Sequence, residues 1–361
     1  MYSESDIEAA VAAGAITPDA AAGLRNYVAA RSASPAVDEE HFRLLTGFND
    51  IFVAIAAAIL MFAVAWIGHS MGANIDNDGP SPFSGLLVAA TAWGLAEFFT
   101  KRRRMALPSI LLLVAFTGGV LMTAFCTLAL GIGVERLEDN ESGIALVAAA
   151  SAAVAAGATW LHWRRFRVPV TVAVGAATAV GVVLALVASA VGNVPALEDT
   201  MLASALLLGI GVFLLAMWWD SSDRGRETRR SDVAFWLHLL SAPLIVHPIF
   251  SLLGLNDGDA TVGEALIVLA VYVLLGLVAL AIDRRALLVS ALAYVLFALI
   301  QLFRDFGAVE LNIALAAFVI GSGLLLLSAF WHSVRRGVVR PLPPAVQAKL
   351  PVLDRPVAAA A

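Results

Sequence analysis

The sequence predicts an all-α, polytopic membrane helix bundle of about ten transmembrane helices, with both termini cytoplasmic. Three observations lead there. The 361 residues are 60% hydrophobic and only 14% charged, with a mean hydropathy of +0.87, more apolar surface than a single soluble core can bury. The apolar residues gather into ten runs of about 20 residues, the length a helix needs to cross hydrocarbon. When those runs are threaded back and forth, 21 of the 23 lysines and arginines fall on one side, and only Arg136 and Arg304 on the other.

Residues 1–35 read as a cytoplasmic helical hairpin. In "SDIEAAVAAGAITPDAAAGLRNYVAAR", Gly14 suits the end of a first helix. Thr17 and Pro18 then supply an N-cap and a first-turn proline for a second, with Asp19 near its positive end. Ile7, Val11, Ile16, Leu24 and Val28 are spaced to pack the two helices together. So small a unit is expected to dock on the membrane face or on a cytoplasmic protein partner.

Residues 36–50 are a linker and an interfacial amphipathic helix, "DEEHFRLLTGF". No cleavable signal pattern precedes the first apolar run, which is expected to serve as an uncleaved anchor. The transmembrane bundle occupies 51–335, with spans near 51–69, 83–100, 107–131, 143–162, 168–191, 200–219, 233–254, 261–281, 286–303 and 310–331. Its connections are short, so successive helices run antiparallel. Residues 336–361 contain "RPLPPAVQAKLPVLDRPVAAAA", whose prolines predict an irregular, peripheral cytoplasmic tail.

So uneven a distribution of basic residues over short loops fixes orientation by the positive-inside rule, N-in and C-in. The opposite loops are acidic, with Asp76, Asp78, Glu135, Glu138, Asp139, Glu141, Glu198, Asp199, Asp257 and Asp259. Trp160, Trp163, Trp218, Trp219, Trp236 and Trp331 all fall near the basic interface, where amphipathic rings settle.

Many chemistries have no support. The single cysteine, Cys126, lies in an apolar run, so neither a disulfide framework nor a thiolate cluster can form. There is no HExxH, no phosphate loop and no GxSxG turn. No metal, no cofactor and no enzymatic activity is expected, and the basic clusters lack the aromatic interleaving of a nucleic-acid surface. Glu97 stands four residues before Lys101 and reads as half of an ion pair across one helical turn. "KRRR" at 101–104 reads most simply as an orientation signal, and contact with anionic lipid would add no specificity to it. Small-residue runs, "ALVAAASAAVAAGA", "VGAATAVG", "GIG" and "GSG", read as faces for close helix packing.

The stretch with the most chemistry is "FWLHLLSAPLIVHPIF" at 235–250. Pro243 offers no N–H to the Leu239 carbonyl, nor Pro248 to that of Leu244, and each disfavours helical dihedrals in the residue before it. A helix break over 242–248 is therefore expected, with His247 beside it. Glu264 and Gln301 sit at matching depth on later spans, and a polar pocket of His247, Glu264 and Gln301 could relay protons or bind a polar solute. The alternative is a plain kink, with Glu264, Arg304 and Asp305 as solvated loop ends. His238, nine residues before His247 and nearer the basic interface, reads as a packing histidine.

The order of parts resembles a loosely defined group of uncharacterised bacterial membrane proteins. The residues that carry the likeness are "VAAGAITPDAAAGL", "FRLLTGFNDIF" and the basic "WHSVRR" tail with its "LPP" and "LP". The resemblance implies a multi-pass protein of the bacterial inner membrane and supplies no activity. The division into five spans and five, 51–191 and 200–331, is similar in layout to drug/metabolite-type transporters, whose inverted halves frame a midplane site. The function expected is transport of a small solute or lipid-related substrate, possibly proton-coupled. The alternative is a non-catalytic membrane scaffold or sensor with a partner-binding hairpin.

Overall fold

The computed structural model describes residues 10–31, 48–72, 74–75, 79–192, 194, 196–226, 228–253, 262–305 and 311–353. The chain forms two units, Met1–Arg43 with Asp354–Ala361, and Leu44–Leu353.

In the first unit a helix end at 10–12 turns into α1 (Pro18–Arg31). Gly14 takes φ +69°, and the Ala15 amide donates back to the Ala10 carbonyl at 2.9 Å. A residue without Cβ adopts that left-handed position at no steric cost. The Ala20 amide donates to Thr17 Oγ1 at 3.2 Å, capping α1. Val11 and Ile16 are half-buried, but Leu24 is exposed and the buried residue of α1 is Ala21. Leu24 therefore lacks the packing role its spacing suggests. Ile7, the side chain of Val28 and the interfacial segment at 36–47 lie outside the described residues.

Among its described residues, the second unit contains ten helices long and apolar enough to cross a membrane. They are α2 (Phe48–Ser70), α3 (Pro82–Phe99), α4 (Ala106–Ile132), α6 (Glu141–Phe166), α7 (Val170–Val191), α8 (Leu197–Ser221), α9 (Arg229–Leu252), α10 (Val262–Ile282), α11 (Ala286–Asp305) and α12 (Asn312–Ala329). A short α5 (Val134–Glu138) links α4 to α6, and α13 (Trp331–Val339) and α14 (Pro344–Gln347) follow the last span. No strand occurs among the described residues. The protein is an all-α, multi-pass integral membrane bundle.

The first five spans pack on one another, the last five do likewise, and α7 joins the groups by lying against α8 and α9. Local chemistry sets the helix ends. Ser81 caps α3, accepting from the Phe83 amide at 3.3 Å and donating to the Gly72 carbonyl at 3.1 Å, with Pro82 in the first turn where its missing N–H does no harm. Small residues set helix separations. A Cβ on Gly85 would lie 2.5 Å from the Gly119 carbonyl oxygen, and one on Gly119 would lie 2.6 Å from that of Gly85. The backbones of α3 and α4 thus touch where both side chains vanish. Gly209 of "GIG" meets Leu244 in the same way.

Two expectations are corrected here. The chain is helical through 242–248, with Pro243 and Pro248 inside α9. Each proline removes only one ladder bond, and α9 is the most buried span, with half of its apolar window inside the protein. Packing of Ala242, Val246 and Phe250 holds the segment helical where the local preference alone would break it. Nor do the described residues of the proline-rich segment, up to 353, trail away; residues 354–361 lie outside the described residues. Leu350 is buried against α13 and the end of α10, and α14 makes the turn that brings it there.

Candidate functional site

The residues expected to form a pocket are placed as follows. His247 is exposed, five residues before the end of α9. Its Nδ1 lies 2.6 Å from the hydroxyl of Tyr294 on α11, which in turn stacks on Phe250 at 4.4 Å between ring centroids. Beneath this pair is an apolar core that includes Val246, Phe250, Ala265, Val268, Val295 and Leu299. Glu264 is half-buried in the first turn of α10, and the side chain of Gln301 lies outside the described residues. His247 thus finds its hydrogen-bond partner in Tyr294, a residue that hydropathy and spacing did not single out. Pro243 is exposed and Pro248 buried, and both serve the helix rather than a break.

A larger polar constellation lies at the opposite end of the same helices, between the basic loops. Asp220, at the end of α8, is buried. Its Oδ1 accepts from Arg284 Nη2 at 2.7 Å, and its Oδ2 lies 3.0 Å from His238 Nε2 and 3.3 Å from Arg284 Nε. A carboxylate only accepts, so His238 donates from Nε2. The histidine is therefore part of an ionic network, not only packing. Arg284 also donates to the Ser231 carbonyl at 3.1 Å, tying the α10–α11 turn to the start of α9.

Next to it stands Asp283, buried, at φ +57°. It accepts from Arg226 Nη1 at 2.9 Å and from the Trp331 indole at 2.6 Å, with Arg335 Nε 3.7 Å away. Arg226, itself at φ +54°, donates further to the carbonyls of Ile282 and Asp283. Burial pushes the Arg226 pKa down and the nearby Arg284 adds to this, while Asp283 and Asp220 oppose it. Arg335, buried to 1% exposure, donates to the Pro351 carbonyl at 2.8 Å and the Val352 carbonyl at 3.1 Å. Arg224 holds Leu350 and Gln347 by the same means, at 2.8 and 3.1 Å. Spans α8, α9 and α10, the α10–α11 turn, α13 and the tail are locked by two aspartates and four arginines.

The orientation rule counts only basic residues, and so it passed over Asp220 and Asp283. The legible signal was an acidic residue closing a span beside arginine, in "WWDSSDRGR" and "AIDRR". Among the described residues, no three His, Cys, Asp or Glu side chains stand close enough to share a metal ion. Of the two sites, the buried network has both aspartates engaged, which is the arrangement of a clamp. In the other, His247 is exposed and Tyr294 half-buried, and an imidazole and a phenol can each donate or accept a hydrogen bond. No protein-family model matches the chain, and no curated protein or solved structure matches it either.

Proposed function

We propose that the protein is a non-enzymatic transporter of the bacterial inner membrane, N-in and C-in, that moves a small solute or lipid-related substrate with proton coupling. The observation that supports this is the exposed His247–Tyr294 hydrogen bond on the face of two apolar spans. An ionisable side chain directed at lipid is unfavourable, so such a pair belongs beside a water-filled recess or a solute path. Tyr294 lies near the middle of α11 and His247 towards the acidic-loop end, so the path opens outward. Cys126 is the only cysteine and is buried. In a Cys126→Ala background, His247→Cys is expected to react with a membrane-impermeant maleimide added outside intact cells. Reaction only after detergent solubilisation would place position 247 against lipid and reject the path.

The scaffold or sensor reading is favoured by a different observation, the docking of the tail carbonyls on Arg224 and Arg335. It makes the basic end a fixed surface, and the hairpin at 10–31 would then recruit a cytoplasmic protein. Failure of the labelling experiment would leave this reading ahead.

A further inference from the structure

The first half of the bundle carries its own polar site at the basic end. Arg165 of α6 donates from Nε and Nη2 to the two oxygens of Glu97 on α3, both at 2.7 Å, and Lys101 Nζ lies 3.9 Å from the same carboxylate. The fork-to-fork pair fixes the guanidinium plane and engages two of its five N–H groups, leaving three directed elsewhere. Beside the pair opens a cleft of about 480 Å³ lined by Gly94, Glu97, Phe98, Lys101, Arg102 and Arg165. Three cations face one carboxylate that is already paired, so the lining carries an excess of positive charge.

The cleft has depth as well as charge. Gly94 precedes Lys101 by seven residues, which sets it about 10 Å further into the span at 1.5 Å per residue. A Cβ at Gly94 would meet no atom within 4 Å. Phe98 lies between these levels, with the Arg103 guanidinium 5.4 Å above its ring. The site is therefore cationic at its rim and apolar below, a division that matches an amphiphile and not a free ion.

We propose that this cleft binds an anionic phospholipid. The phosphate sits among Lys101, Arg102 and Arg165, and the glycerol and first acyl carbons run down past Phe98 to Gly94. Cations in excess favour a lipid with net negative charge over a zwitterionic one, and the apolar depth rewards an attached chain. The site is separate from His247 and Tyr294 and does not rest on the transport reading.

The test is native mass spectrometry of the full-length protein, titrated with dioleoyl phosphatidylglycerol or dioleoyl phosphatidylcholine. The wild type is expected to retain the anionic lipid about tenfold more tightly, as two or three juxtamembrane cations should allow. Lys101→Ala with Arg102→Ala should reduce that preference to about twofold or less. The same charge removed from the exposed Arg229 and Arg230, each changed to Ala, should leave it intact. Gly94→Leu fills the depth and should weaken retention of both lipids; Gly94→Val is the milder form if the larger side chain impairs folding, which circular dichroism would report. Equal retention of the two lipids by the wild type, or equal loss in the two double variants, overturns the site. Insensitivity to filling at Gly94, with displacement of lipid by inorganic phosphate, overturns the lipid in favour of a soluble phosphate compound.

Discussion

Asp220 and Glu97 are both carboxylates gripped by a distant arginine, yet their surroundings make them energetically unlike. The Asp220–Arg284 pair is 1% and 3% exposed, whereas Glu97 and Arg165 are 35% and 42% exposed. Breaking a buried pair strands the remaining charge, and Asp220→Asn is expected to lower stability by about 3–5 kcal/mol. Glu97→Gln removes a pair already screened by solvent and should change stability by less than about 1 kcal/mol. Thermal unfolding in one detergent ranks the two, and similar losses would show the network at Asp220 to be open to water. Only part of either pair was legible in the sequence. Glu97 and Lys101 lie one turn apart on a helix, so their proximity follows from spacing, and they stand 3.9 Å apart. Arg165 and Arg284 are far away in sequence, and only the packing of α3 and α6 around α4, and of α8 and α11 on α9, decides that they arrive.

Within α9, local preference and tertiary packing disagree, and packing prevails. Pro243 and Pro248 each weaken the ladder, but the same helix buries Val233, Leu237, Val246 and Phe250 along its inner face. The hydropathy of the ten segments could be read because burial in lipid needs only length and composition. The dihedrals of 242–248 could not, because they depend on what lies alongside. The two prolines should respond differently to replacement. Pro243 is exposed, so Pro243→Ala restores the N–H for Leu239 without opening a void and is expected to raise the melting temperature. Pro248 is buried, so Pro248→Ala regains the bond but leaves space behind, and its gain should be smaller or reversed. Parallel thermal shifts in the two variants decide the point; a larger gain at 248 would mean that the ladder, not packing, limits α9.

Across the whole molecule, the basic loops that suggested an orientation also hold the structure together. Arg224 and Arg226 of the α8–α9 loop, Arg284 of the α10–α11 turn and Arg335 of α13 converge with two aspartates and the tail backbone. Orientation was expected from charge counts alone; the convergence was not, since counts carry no information on which loop meets which. Removing residues 343–361 deletes the carbonyls of Gln347, Leu350, Pro351 and Val352 that four arginine N–H groups engage. The truncated chain is expected to insert normally yet to be cut by protease in the loop at 222–228, where the full-length chain resists. Equal resistance would make the tail dispensable. The docked tail also carries a consequence in time. Its partner in the α8–α9 loop, Arg224, is made more than a hundred residues before it, so that arginine must wait until the four following spans, α9 to α12, have been synthesised. The lock at this end of the bundle therefore closes late, and a chain that stops before residue 347 leaves it open.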